Sequence, residues 1–458
     1  MTTPTRTPAP APEAAAASDS PGGPSLARTM GLGALVIYGV GDLLGAGIYG
    51  LVGEAAGRLG RAAWLGFLAS ALAALATGLS YASLGSRYPR AAGAAYVAER
   101  AFGRPWVAYL LGLATVAAGL SSTAAASRVL AGHLEGVAFG APRAALAAAF
   151  VVALGALNFW GLRESTRVNA LCTAAEAGGL VLIVAVGAKH WGSVDYLDAA
   201  APANPGGALT PAALLGGAAL SFYAFIGFED LINVADEVKA PHRTLPRGIV
   251  IALVVTALMY TAVALTAVSI LSPAELAASP KPLVDVAARA APWLPPAAFT
   301  AVAVLAVTNT ALLNSITGSR LLYGMARQGL LPRALGRVHA GRRTPHVAVG
   351  AVTAAALALA LAGEVATLAN ATSVLLLAVF VTVNVALFRL QRRPGEPRGA
   401  FEVPAFVPAA GAAVCLALLA FAQRKALLGA AAVLAAIAVL YVVSPKRARP
   451  GAGEGGRQ

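Results

Sequence analysis

Apolar runs separated by short polar stretches repeat along nearly the whole chain. A helix needs about 20 mostly apolar residues to cross the hydrocarbon of a bilayer. Twelve windows satisfy that length: roughly 31–53, 62–86, 105–127, 144–162, 168–188, 210–228, 248–272, 297–319, 344–363, 365–388, 403–423 and 426–445. The pattern predicts an all-α integral membrane protein with 12 transmembrane helices. Little more than Glu364 separates the ninth window from the tenth, which predicts a tight hairpin there.

Glycine interrupts two of these windows at corresponding places. The first reads Gly41-Asp42-Leu43-Leu44-Gly45-Ala46-Gly47-Ile48-Tyr49-Gly50, and the sixth reads Ser221-Phe222-Tyr223-Ala224-Phe225-Ile226-Gly227-Phe228-Glu229. Each heads a block of five spans. Five is odd, so the second block (205–390) runs upside down relative to the first (30–190), which predicts a 5+5 inverted repeat with discontinuous helices 1 and 6. Two further helices (400–445) lie outside it. Paired interrupted helices of this kind point to the binding site of a secondary transporter.

Composition agrees with a membrane chain. Of 458 residues, 58% are hydrophobic and 12% charged, about half the charge of a soluble protein. Residues 1–29 are rich in Pro, Ala, Ser and Thr with no continuous apolar run, and read as a disordered tail rather than a signal peptide. The segment 446–458 reads as a second disordered tail. The net charge of +14 does not indicate nucleic acid, because the cations are scattered between spans rather than gathered on one face. Cys172 and Cys415 both fall in apolar windows, no metal-ligand spacing occurs, and neither a disulfide nor a cofactor is expected.

The cations instead set the topology. Of the 34 lysines and arginines, 25 fall in the two tails and the loops on their side, against 9 in the opposite loops. Such a bias places both termini in the cytoplasm of a multi-pass protein of the cytoplasmic membrane.

The breaks carry the candidate chemistry. Unwinding at Gly45, Ala46, Gly47 and Ile48 frees backbone N–H groups at the start of a half-helix. Such groups attract a carboxylate through hydrogen bonds and the positive dipole end. Packing is the alternative, since Gly41-xxx-Gly45 is also a small-residue contact motif. In the sixth span, carbonyls freed over Tyr223, Ala224, Phe225, Ile226 and Gly227 would accept hydrogen bonds from an ammonium, with Tyr223 and Phe225 as gates or as packing. One break offers donors and the other acceptors, a pairing that suits a zwitterion.

The stretch from Phe222 to Glu229, continued by Ala235-Asp236-Glu237-Val238-Lys239-Ala240-Pro241-His242-Arg243-Thr244-Leu245-Pro246-Arg247-Gly248-Ile249, resembles the sixth helix and following loop of the amino acid–polyamine–organocation permeases. Gly45-Ala46-Gly47-Ile48-Tyr49 and Ser319-Arg320-Leu321-Leu322-Tyr323-Gly324-Met325-Ala326-Arg327-Gln328-Gly329-Leu330-Leu331-Pro332 match two more blocks in order. The resemblance covers about residues 30–390. It implies the five-plus-five fold of sodium-coupled amine transporters, substrate carboxylate on the Gly45–Ile48 backbone, the amino group on Tyr223–Gly227, and Tyr223 at the position of the aromatic gate.

Asp42 and Glu176 are the two ionisable residues that interrupt the windows near their middles. A charge at mid-bilayer is costly and marks function by default. Some permeases of the family carry a lysine at what corresponds to Glu176; an acid there would load and release a proton, or serve as a structural group. Asp42 would couple, gate or pack. Asn309, Asn314, Ser121, Ser122 and Thr123 would line a pocket or bond between helices. An intramembrane enzyme would show a nucleophile–base pair or metal ligands within the spans, and a channel a polar stripe. A sensor would carry a sizeable output domain. The expectation is a permease, not an enzyme, for a small amino acid or amine. Alternating access would be driven by the proton gradient or by a counter-substrate in exchange.

Overall fold

The computed structural model describes residues 26–443 apart from 46, 91–92, 135–141, 280, 363–364 and 423. Every regular element among them is helical, and extended pairing is confined to two isolated bridges, Met30 with Val238 and Ala201 with Asn204. The first window is split into α1 (Leu32–Leu43) and α2 (Gly47–Leu59). Next come α3 (Ala63–Arg87), a short amphipathic α4 (Gly93–Phe102), α5 (Pro105–Leu134), α6 (Arg143–Trp160) and α7 (Leu162–Gly187). The sixth window holds α8 (Pro211–Ser221) and two 3₁₀ turns, Phe222–Phe225 and Phe228–Ile232. Then follow α9 (Pro241–Ile270), the short α10 (Pro273–Ala278) and α11 (Pro282–Ala290), and α12 (Pro296–Arg327). The chain ends with α13 (His346–Ala362), α14 (Val365–Gln391), α15 (Phe406–Ala420) and α16 (Arg424–Val443).

Nine stretches among the described residues are long and apolar enough to cross a membrane. Three shorter apolar helices, His346–Leu361, Phe406–Ala420 and Leu427–Val443, occupy the ninth, eleventh and twelfth windows. The outward faces are apolar: Leu72, Leu171, Leu258 and Val442 are 63%, 69%, 68% and 80% exposed. An exterior of this kind is stable against lipid and not against water.

The interior is packed with small residues. α3 runs along α9, α5 along α12, and α1 against α9. Ala71, Ala74, Gly78 and Ala82 of α3 are buried on the contact face, which lets backbones approach where no hydrophobic effect pulls helices together. α9 starts earlier than its apolar pattern suggests, at Pro241 rather than near residue 248, and carries Pro246 inside its first turns. Pro246 has no N–H for the His242 carbonyl four residues back. The Ser86 hydroxyl donates to that carbonyl instead, at 2.8 Å, so the proline costs no hydrogen bond.

The N-terminal approach is tied to the loop after the sixth window. Thr29 and Met30 N–H donate to the Glu237 carbonyl, and Lys239 N–H to that of Met30. Glu237 in turn meets the fully buried Arg320, whose guanidinium also donates to Asn158 and Ser319. A buried guanidinium is tolerable only with its donors taken up in this way.

Candidate functional site

The two interrupted windows face each other across a cavity of about 530 Å³, within the roughly 300–1,000 Å³ of small-molecule sites. α1 ends at Leu43, whose carbonyl accepts the Tyr260 hydroxyl, and Leu44 closes the last turn on Val40. α2 restarts at Gly47. The first N–H groups of a helix have no partner within it, so this start presents donors. Residue 45 must be glycine because a Cβ there would collide with the Thr310 hydroxyl of α12. Gly41 serves packing: its carbonyl accepts Asn309 Nδ2 at 3.1 Å, within a cluster completed by Asn169 and Thr173.

The sixth window unwinds by a different route. Thr210 caps α8, its hydroxyl accepting Ala213 N–H, and the helix tightens at Phe222–Phe225. Ile226 is extended, and Gly227 has φ 135°, a conformation that favours glycine. The chain then resumes as a 3₁₀ turn. Two of the five carbonyls predicted to be free are used by the chain itself: Tyr223 O accepts Ile226 N–H and Gly227 O accepts Asp230 N–H.

Gly45, Gly47, Tyr223, Ala224, Ile226 and Gly227 border the cavity, as does Asp42. Ile48 and Phe225 are fully buried and do not; Phe225 packs edge-on against Tyr260, ring centroids 5.3 Å apart. Ala46 lies outside the described residues. Of the two gate candidates, only the half-buried Tyr223 therefore faces the space. Thr115, Gly119 and Ser122 of α5, Thr310, Asn314 and Thr317 of α12, and Leu376 of α14 complete the walls, with Leu276 of α10 and Ser279 just after it. Asn314 donates to Thr310 O and Ser122 Oγ while lining the cavity, whereas Asn309 stays in the packing cluster.

The acidic residues fall into two groups. Glu176 is fully buried away from the cavity, and neither of its carboxyl oxygens has a hydrogen-bond partner. As an ion it would stand alone in an apolar interior. Asp42 sits in a cluster with Glu229 and Asp230, 7%, 4% and 7% exposed. All three border the cavity, and Asp42 Oδ2 has no hydrogen-bond partner. Glu229 accepts Gly227 N–H at 2.9 Å. Glu229 and Asp230, near the end of the sixth span, thus add two buried acids to the two that interrupt spans near their middles. Glu229 and Asp230 were missed because the sixth window closed at residue 228, at the glycine, whereas the span runs on to Ile232. Two adjacent acids directly after a glycine break were the signal available. No Lys, Arg or His borders the cavity among the described residues, while Glu54 adds a fourth carboxyl to its lining, beside Leu51 of α2.

A family model for amino acid permeases matches residues 31–445. A branched-chain amino acid permease of Bacillus subtilis is 29% identical over 417 residues, covering 86% of this chain and 87% of that protein. An uncharacterised transporter of Mycobacterium tuberculosis is 31% identical over 406 residues, covering 85% and 89%. A methylthioribose transporter of Bacillus subtilis is 29% identical over 419 residues, covering 86% and 88%. With its apolar spans, the fold is that of a multi-pass membrane transporter. The chain belongs to the amino acid permease family.

Proposed function

We propose that the protein carries an amino acid or related amine across the cytoplasmic membrane by alternating access, powered by the proton gradient. The observation that carries this reading is the single cavity bordered by both helix breaks. A small zwitterion placed there meets the donors at the start of α2 with its carboxylate and the break at Tyr223–Gly227 with its ammonium. Tyr223 stands over it as the gate. The relatives' names, two of them naming different cargoes, support transport more strongly than any one substrate.

In this reading the twelve apolar helices form two inverted five-helix blocks, 30–190 and 205–390, followed by two helices in 400–445. α1, α2, α8 and the 3₁₀ turns after α8 rock against the rest, with both termini cytoplasmic. Asp42 and Glu176 are the candidates for the coupling proton. Exchange of one amine or amino acid for another is the alternative on the same fold. Uptake of labelled amino acids into liposomes, with and without a pH gradient, decides between them. Accumulation that follows the gradient supports proton coupling; uptake that ignores it and requires internal substrate supports exchange. No uptake of any amino acid or amine would overturn the reading.

A further inference from the structure

A cavity separate from the one between the helix breaks lies where two spans end. α14 closes at Gln391, and α5 opens at Pro105, just after α4. The space between them holds about 460 Å³, within the size range of small-molecule sites. Arg389, Arg392 and Arg393 line it together with Phe102, Phe388 and Leu390. Among the described residues no carboxylate does.

Two of the three guanidiniums are held by aromatic faces rather than by acids. Arg389 Cζ lies 5.1 Å from the centre of the Phe102 ring, and Arg392 Cζ 3.4 Å from that of Phe388. A ring face attracts the cation but takes up none of its in-plane N–H donors. Neither residue has an ion-pair partner among the described residues. Arg393 differs: it donates to the Arg100 carbonyl at 2.9 Å and lies 3.7 Å from Glu396. That carboxylate is already engaged by Tyr88 and Arg100. One acid therefore answers the charges of Arg100, Arg389, Arg392 and Arg393, and the local field is strongly positive.

The positive-inside bias explains cations in these loops, but not a cavity with two of them stacked on rings around it. A guanidinium fixed in orientation with its fork free suits the oxygens of a phosphate, which it engages through two parallel hydrogen bonds. Depth selects the source of that phosphate. Both flanking helices are apolar spans, Pro105–Arg128 and Ser373–Gln391, so their ends lie at the level of the lipid headgroups. Trp106, 45% exposed in the first turn of α5, is a residue type that collects at that boundary. The two phenylalanine rings and Leu390 give the space an apolar side for the glycerol end of the acyl chains.

We propose that this cavity binds the phosphate headgroup of an anionic phospholipid, gripped by Arg389 and Arg392, with Arg393 adding charge beside them. The bound lipid ties the end of α14 to the joint between α4 and α5. The charge bias places this end on the cytoplasmic side, where basic pockets between spans recruit such lipids. The site is independent of which solute is carried.

The test uses the full-length protein in a neutral detergent at about 0.15 M salt, where exposed charges more than about 8 Å apart are screened. Phosphatidylglycerol or phosphatidylcholine is added, and bound lipid is counted by native mass spectrometry. Phosphatidylglycerol is expected to bind in preference. Arg389→Gln combined with Arg392→Gln is expected to weaken that binding about 30-fold. Arg392→Lys keeps the charge but loses the planar fork and the stacking, and is expected to weaken it about threefold or more. Arg337→Gln combined with Arg342→Gln removes the same charge from the exposed loop between α12 and α13 and is expected to change nothing. If the site double variant fails to fold, Arg392→Lys and the wild-type preference decide. Equal binding of the two lipids, equal weakening by the loop variant, or unaltered binding in the site variants overturns the proposal. Displacement of phosphatidylglycerol by millimolar glycerol phosphate also overturns it, by marking a site for a soluble phosphate.

Discussion

Gly47 stands where α2 starts, close against the backbone of the sixth window. A Cβ there would lie 3.3 Å from Ala224 Cα, tighter than ordinary packing but short of a collision. Leucine at this position drives a branched side chain either into the backbone of the sixth window or into the cavity. Overpacking of this kind costs roughly 1–3 kcal/mol, tolerable to a fold of this size, whereas a filled cavity admits no substrate. Gly47→Leu is therefore expected to reach the membrane in near wild-type amount and to lose uptake by at least about 100-fold, a loss of binding worth some 2.7 kcal/mol. Uptake at the wild-type level would remove the carboxylate site from the mechanism.

Glu176 calls for a different measurement, because it does not touch the cavity. Its carboxyl has no hydrogen bonds to lose, so Glu176→Gln keeps the shape and changes stability by no more than about 1 kcal/mol. If Glu176 carries the coupling proton, the variant still binds substrate yet no longer accumulates it against a gradient. Accumulation that still tracks the imposed pH gradient would return Glu176 to a structural role.

Among the elements, the spans were readable in the sequence and the short amphipathic helices were not. A run of about 20 apolar residues has few alternatives to a membrane helix. α4, α10 and α11 are six to ten residues long and carry polar faces, so no window of that length reports them. α10 did leave a local sign. Ser272-Pro273-Ala274-Glu275 is a capping box, with Ser272 and Glu275 each bonding the other's backbone N–H. Both breaks were visible as glycines, but which side chains face the cavity was not. Tyr223 and Phe225 are two residues apart in a 3₁₀ turn of about three residues per turn, so they point to different sides and take different environments. The same element scale governs the loop after α14. Burial of the Glu396 carboxyl works to raise its pKa, but hydrogen bonds from Tyr88 and Arg100 outweigh it and hold it below the usual range. A depressed folded value stabilises above the unfolded value of about 4.3 and is lost as pH falls through the folded one. Glu396→Gln should thus lower stability by about 1 kcal/mol at pH 7 and by little near pH 3, read by thermal melting at both. An equal loss at the two pH values would mean that the ion pair contributes nothing.

At the scale of the whole molecule, the charge bias predicts the orientation in the bilayer, and with it which edge of the cavity lies toward the cytoplasm. The six cations between Arg320 and Arg343 and the three between Lys239 and Arg247 share the side of the N-terminal approach, which the backbone of Glu237 and Lys239 physically holds. Moving that side across a membrane would carry most of the chain's positive charge against the positive-inside bias. The two native cysteines, Cys172 and Cys415, are buried, so a single introduced thiol is read without background. Arg342→Cys, in the exposed loop between α12 and α13, is expected to react with a membrane-impermeant maleimide only in inside-out vesicles. Ser193→Cys, in the exposed loop between α7 and α8, is expected to react in intact cells. The opposite pattern would invert the molecule. The edge of the cavity beside Glu54, Leu276 and Ser279 would then face the cytoplasm.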